Sequence, residues 1–331
     1  MKMAKLITEK KFNYTITEGK KKERIDVYLT KTIERSTRSK IQKLIKNDLV
    51  LVNGLPVKAN YLVVPNDQIE VTIPVSPRPE TTDPEDIPLN IVYEDDDLIV
   101  LNKQPGLVVH PAIGNHTGTL VNALLHYTQK LSHFNTPGRA GIVHRIDKDT
   151  SGLLLIAKDE WIHAELSKQF AAHTIDRTYY AVCWGLFKNS TGEVIGNITR
   201  SNKDRKLFCV HETEGKHAHT FYKVLEEYEF ASLVQLNLKT GRTHQIRVHM
   251  AYTNHPVFGD ATYGGRKIAY GSNLAKMKNR VDNLLSIIPR QALHAKTLGF
   301  WHPRKNERVI FNSELPDDMQ TLIDKLKVND D

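Results

Sequence analysis

The sequence predicts an α+β protein of two parts, a small α+β domain followed by a larger domain built on a mixed sheet. Three observations carry this prediction. Residues 20–46 read as two short amphipathic helices, with hairpin-like segments after them. Pro74, Pro77, Pro79, Pro84 and Pro88 then break any regular pattern, as a semi-rigid extended linker would. Beyond them, strand-like runs are interspersed with helices without a regular βαβ alternation, which points to an α+β sheet. The expected division is a tail over 1–19, a small domain over 20–73, a linker over 74–88 and a larger domain over 89–325.

In the small domain, Ile25, Leu29 and Ile33 recur four residues apart and predict a first helix. A second follows Ser36, a suitable N-cap, with Ile41, Leu44 and Ile45 facing inward and Arg38, Lys40, Lys43 and Lys46 outward. Leu49–Val52 reads as a strand, Asn53-Gly54 as a tight turn and Ile69–Ile73 as an alternating strand. Residues 20–46 hold ten Lys or Arg against three acids, and a basic face of this kind suits phosphates.

In the larger domain, Asn90–Tyr93 and Leu98–Leu101 flank an acidic turn and predict a hairpin. Leu107–Val109 is a further apolar run, and Leu120, Leu124 and Leu125 mark a helix near Thr119–Tyr127. Strands are expected at 153–157, 178–184, 220–225 and 232–238, with a helix from about Trp161 to Phe170. Thr243 is placed to cap a helix running through Met250, with His244 and Arg247 on one face.

The chain has 331 residues and a formal charge of +8, with 46 Lys and Arg against 38 Asp and Glu. That balance favours a polyanionic partner. Cys183 and Cys209 are too few for a disulfide scaffold and neither has metal-ligand spacing. His217 and His219 would share one side of a strand but lack a third ligand, so no metal is expected. With neither a long apolar run nor a signal core, the expectation is a soluble cytoplasmic protein making no membrane contact.

The segment richest in chemistry is Gly141–Gly152, GIVHRIDKDTSG, which runs directly into Leu153–Ala157. A polar loop feeding a buried strand can hold one carboxylate fixed at the lip of a cleft. Read alone, such charges also fit two surface ion pairs on a turn. The second segment is Leu238–His249, LKTGRTHQIRVH, which breaks a strand at Thr240-Gly241 and opens a helix.

HRIDKDTSGLLLIAK resembles the HRLDxxTSGLLxxAK motif of the RluA-type pseudouridine synthases, with Ile146 where Leu is usual. TGRTHQIRVHMA is similar to the family's TGRTHQIRVHxA, and Arg177-Thr-Tyr-Tyr-Ala181 to its KxYxA. The helix–helix–hairpin with VNG resembles an S4 RNA-binding domain. VVHPAIGN, GTLVNALLHY and RQALHA give the chain the flavour of the D-type synthases of the large ribosomal subunit.

The resemblance implies a largely antiparallel sheet in the larger domain and isomerisation of specific uridines in RNA to pseudouridine, with 23S ribosomal RNA as substrate. It implies that Asp147 is catalytic, that Arg247 pairs with it, and that Tyr179 lies in the active site. Arg145 would fill the space vacated by the target nucleotide, with His144, Arg242 and His244 as further RNA contacts. Tyr180, facing the other way, is expected in the core. Asn102-Lys103-Gln104-Pro105 departs from the family's Asn-Lys-Pro, so no binding role is carried onto Lys103. No cofactor, no obligatory protein partner and a monomer are expected.

Two routes suit one carboxylate, attack at the ribose C1′ or removal of the C2′ proton. The alternatives are a synthase acting on another RNA such as transfer RNA, a non-catalytic ribosome-binding or assembly factor, and a carboxylate-dependent nuclease. The last would want paired acids and a metal, and Asp149 reads as a turn residue. The loop Arg200–Lys206 and residues 265–290 are candidates for choosing the uridine.

Overall fold

Ile25, Leu29 and Ile33 are all buried in the N-terminal unit, as are Ile41, Leu44 and Ile45. They pack on Ile69 and Val71, alternate residues of a four-stranded sheet. The computed structural model describes residues 8–33, 36, 38–75, 83–111, 115–128, 131, 141–202, 204, 207–271 and 275–328. The chain forms two units, Met1–Glu80 and Thr81–Asp331.

The first unit runs β1 (Thr8–Thr15), α1 (Ile25–Thr32), α2 (Arg38–Lys46), β2 (Val50–Val52), β3 (Leu55–Pro56) and β4 (Gln68–Val75), with sheet order β1-β4-β2-β3. Asn53 and Gly54 have φ of 51° and 81°, so both central residues of the β2–β3 turn are left-handed, as a tight hairpin requires. Two expectations are corrected. Thr8–Thr15 is no tail, because it pairs antiparallel with β4 along its whole length and Ile16 is buried behind it. Ser36 is not the cap of α2, because the helix begins at Arg38 and the buried Ser36 hydroxyl has no partner among the described residues.

The second unit runs β5 (Ile91–Glu94), β6 (Leu98–Lys103), α3 (Leu120–Tyr127), β7 (Ser151–Ala157), α4 (Glu160–Ala171), β8 (Asp176–Trp184), β9 (Thr191–Arg200), β10 (Phe208–His211), β11 (Lys216–Glu227), β12 (Ala231–Leu238), α5 (Gln245–Tyr252), α6 (Ala275–Ile287), β13 (Leu293–His302), β14 (Glu307–Asn312) and α7 (Asp317–Lys327). Its sheet has the order β10-β9-β11-β12-β8-β13-β7-β6-β5, with β14 beside β13. Among the described strands β13 and β7 pair in parallel and the other neighbours are antiparallel.

Successive residues of β7 serve opposite faces. Leu154 and Ile156 pack with α3 and α5, while Leu153 and Leu155 pack with α4. With every β7 residue buried, the segment reads as a continuous apolar run instead of an alternating one. On the face opposite α3 and α5, α6 and α7 cover Val182 and Trp184.

Residues 76–82 of the expected linker lie outside the described residues. Residues 83–88 are not free chain: Glu85 N donates to Asn122 O (3.0 Å) and the Glu85 carboxylate accepts from Gly118 N. Leu107–Val109 forms no strand, only a bridge from Val108 to Thr119. Thr119 caps α3 in a capping box with Asn122. The last helix, α7, ends at Lys327, past the expected limit at residue 325.

Candidate active site

The loop before β7 is fastened residue by residue. Lys103, at the end of β6, is buried, and its Nζ donates to the carbonyls of Gln104 (2.7 Å), Leu107 (3.0 Å) and Lys148 (2.8 Å). Arg290 Nη1 donates to Asp149 O (3.0 Å) while its Nε and Nη2 fork onto Asp318 of α7 (2.7 and 2.8 Å). Gln291 Nε2 donates to Thr150 Oγ1 (3.1 Å), and His294 bridges Ser151 Oγ and Ser313 Oγ (2.9 and 2.8 Å). Asp147 thus sits on a loop whose next four residues are each held, the pre-organisation a reacting group needs. Gly152 follows at φ 115°, where a side chain would strike the Ala295 backbone of β13.

Asp147 faces a cavity of about 550 Å³, within the usual range of ligand sites. Arg247 Nη1 donates to Asp147 Oδ2 (3.1 Å), so the pairing expected between them is present. Arg247 has a closer partner, Asp260, which receives its Nε (2.6 Å) and Nη2 (2.9 Å). Asp260 is fully buried, and its Oδ1 also accepts from Thr262 N (2.8 Å) and Tyr263 N (3.1 Å). Burial works against the Arg247 charge, but the carboxylates of Asp260 and Asp147 outweigh it and raise its pKa further. The fork is spent on Asp260. Asp147 lines the cavity, and its Oδ1 takes no part in the Arg247 bond, with His244 Nε2 3.9 Å away.

Tyr179 lies in a row running across the sheet, Leu236–Tyr179–Ala295–Gly152–Lys103. It is almost wholly buried and lines the Asp147 cavity, and burial raises the pKa of its hydroxyl. Tyr180 is half-buried and packs on the cluster beneath α6 and α7.

His244 is the N-cap of α5, in the left-handed region at φ 56°, and Thr243 does not cap the helix as expected. The groups at this turn are held by Gln245, whose Oε1 accepts from Arg242 N (2.9 Å) and Thr240 Oγ1 (2.8 Å). His244 Nδ1 contacts Tyr263 OH (2.9 Å), and burial above all lowers its pKa, favouring neutral imidazole.

His144 lines the same cavity and is fixed to β7. Its Nε2 accepts the Leu155 N–H (2.9 Å) and its ring stacks on Phe170, with burial pushing its pKa down to about 3. Arg145 is exposed at the cavity, and Arg242 lines it with its Nε anchored on His217 O (2.9 Å). In the first unit Lys43 and Lys46 are exposed, Arg38 Nε is tied to buried Asp26 (3.0 Å), and the Lys40 side chain lies outside the described residues.

Asp260, the closer partner of Arg247, is a residue to which sequence reasoning assigns no role. Among the described residues Asp95, Asp97 and His302 also cluster. Their charges are answered by Lys305 and Arg304, and they do not line the Asp147 cavity.

The RNA pseudouridylate synthase family matches residues 97–252 and the S4 domain family residues 23–69. An uncharacterized RNA pseudouridine synthase of Chlorobaculum parvum is 47% identical, over 92% of this chain and 94% of that one. Ribosomal large subunit pseudouridine synthase D of Zymomonas mobilis is 43% identical, over 95% and 97%. The solved structure of human RNA pseudouridylate synthase domain containing 4 shares the fold at a TM-score of 0.55 and 24% identity, covering 72% of this chain and 93% of that one. With its paired carboxylate at the cavity and relatives matching nearly end to end, the chain belongs to the RNA pseudouridine synthase family and carries an S4 domain ahead of the synthase domain.

Proposed function

We propose that this enzyme converts uridines of large-subunit ribosomal RNA into pseudouridine with Asp147 as the catalytic carboxylate. The observation that carries the reading is the setting of Asp147 itself, at the cavity with one oxygen on Arg247 and the other outside that bond. A stacked uridine hides its glycosidic bond, so the nucleotide is extruded at a cost of a few kcal/mol that phosphate and stacking contacts offset. Tyr179 offers its ring to the uracil, and Arg145 occupies the vacated place.

Asp147 then acts at the ribose, by attack at C1′ or by taking the C2′ proton, and the N1–C1′ bond breaks. The uracil turns within the cavity and C5 bonds to C1′ as the Asp147–C1′ bond breaks, or as the Asp147 carboxyl returns its proton to C2′. The C5 proton then passes to the freed carboxylate and exchanges with solvent, and N1 takes up a proton. Water is kept out, since hydrolysis would leave an abasic site. His144, neutral and bonded to the β7 backbone, supports the loop without taking part in the proton transfers. The basic face of α2 supplies phosphate contacts through Lys40, Lys43 and Lys46. The ribosomal substrate follows the relatives whose names carry it, and the enzyme works as a cytoplasmic monomer.

Asp147→Asn tests the assignment. The variant should bind ribosomal RNA as the parent does and release no tritium from 5-labelled uridine; ordinary turnover would defeat the role given to Asp147. Mapping pseudouridines in a strain lacking the gene tests the substrate. Loss of large-subunit sites is expected, and a loss confined to transfer RNA would move the target there.

A further inference from the structure

A second groove opens beside the Asp147 cavity, at the ends of β9, β10 and β11. We propose that it binds the base and phosphate of the nucleotide adjoining the target uridine. This rests on the reading that the Asp147 cavity receives the extruded uridine. The groove encloses about 390 Å³ and shares Gly241, Arg242 and Thr243 with that cavity, so the two are continuous along one wall.

Its lining has the composition expected of a single-stranded nucleotide site. Arg200, Lys216 and Arg242 supply three cations, Phe208 supplies an aromatic face, and no carboxylate is among the described lining residues. Arg200 lies over the Phe208 ring at 5.1 Å, making a mixed cationic and aromatic surface on which any base can stack. Lys216 is exposed, while Arg242 is half-buried with its Nε fixed on the His217 carbonyl (2.9 Å). Arg242 therefore stands between the two cavities, where the phosphate joining two successive nucleotides would pass.

The groove is also mechanically joined to the chemistry. The Phe208 ring meets the His244 ring edge to face at 5.6 Å, and Phe208 N donates to Tyr263 OH (3.1 Å), which itself contacts His244 Nδ1. A base seated on Phe208 thus packs against the residues that border Asp147. The site reads a stacked base and a phosphate, not a sequence, so it favours an unpaired neighbour over a particular letter.

The test uses the full-length enzyme and short RNAs that carry a mapped target uridine, with the base on its 5′ or its 3′ side replaced by an abasic ribose. In the parent enzyme, one of the two replacements should raise KM on the order of tenfold with kcat within about twofold. In Phe208→Leu the same replacement should raise KM no further, because the partner of that base is already gone. Lys216→Gln should raise KM several-fold at unchanged kcat and reduce the slope of log affinity against log salt by about one.

Equal abasic penalties in the parent and Phe208→Leu, or no penalty on either side, would overturn the proposal. If Phe208→Leu fails to fold, Lys216→Gln decides through the salt slope, and an unchanged slope counts against the site. The outcome is separable from the assignment of Asp147. An active Asp147→Asn would sink the catalytic role while leaving the abasic penalties as measured.

Discussion

Arg247 stands between two carboxylates of unequal burial, Asp260 with no exposure and Asp147 with 20% of its side chain exposed. The buried partner takes the bidentate fork and the exposed one a single bond, so removing each should have opposite signatures. Asp260→Asn leaves a buried guanidinium short of a charge partner, a defect of about 3–5 kcal/mol. Asp147→Asn, at the cavity lip, should cost under about 1 kcal/mol. Urea unfolding of both variants checks this, and equal losses would mean that Asp147 also serves as a structural ion-pair partner. The Asp147–Arg247 pair was legible because both lie in long motifs. Asp260 was not, since nothing in its own neighbourhood says that a side chain 13 residues upstream turns back to it. Asp26 is the counterpart in the first unit. Burial pushes its pKa up, but hydrogen bonds from Arg24, Gln42 and Arg38 outweigh that and bring it down to about 2. A depressed folded pKa gives stability that is whole above the unfolded value near 3.8 and fades as pH falls toward 2. Protection of the α1 amides, relative to their intrinsic exchange at each pH, should therefore fall over that window, and Asp26→Asn should remove this part of the pH dependence.

At the scale of elements, the parallel contact between β7 and β13 places the loop that carries Asp147. It consists of His294 beside Ser151 and Ala295 beside Gly152, after which β14 takes the place of β7 along β13. Gly152 permits the approach, because its φ of 115° and the adjacent Ala295 backbone leave no room for Cβ. Gly152→Ala should push the strands apart, displace Asp147 from Arg247 and reduce kcat by on the order of a hundredfold, since a misplacement of about 1 Å costs that much. Unchanged kcat in a folded Gly152→Ala would show that the loop does not depend on this junction. The helices and strands whose signals are local were readable: α3 from its leucines and Thr119, β7 from its apolar run, and α1 from residues four apart. The β7–β13 contact was not, because it joins segments about 140 residues apart. Residues 265–290, a candidate for choosing the uridine, contain α6, whose Met277, Val281, Leu284 and Leu285 are buried in the cluster it shares with α7. Its helical period is present in the sequence, but Lys276, Lys278 and Arg280 are interleaved with the apolar positions and mask it.

Across the whole molecule, charge and chemistry are divided between the two units. Residues 1–80 hold 16 Lys and Arg against 9 Asp and Glu, so +7 of the chain's +8 lies there and the second unit has 30 against 29. The groups that fasten or form the Asp147 site lie between Lys103 and Asp318, all in the second unit, and the hydrophobic cluster of the first unit contains none of them. Binding energy from phosphates and the bond-making steps should therefore be separable by truncation. A chain of residues 81–331 should keep its fold, because the clusters that build it are drawn from residues 87–326. It should keep kcat within a few-fold at saturating RNA and lose most of its affinity. Each phosphate contact contributes about 0.9 to the slope of log affinity against log salt, and three contacts from the face of α2 would make the truncated chain shallower by roughly 3. Measured between about 50 and 200 mM salt, that difference amounts to a large loss of affinity at low salt and a small one at high salt. Parallel salt lines for the two proteins would mean that the basic first unit contributes no phosphate contacts, and that RNA is held by the nearly neutral second unit alone.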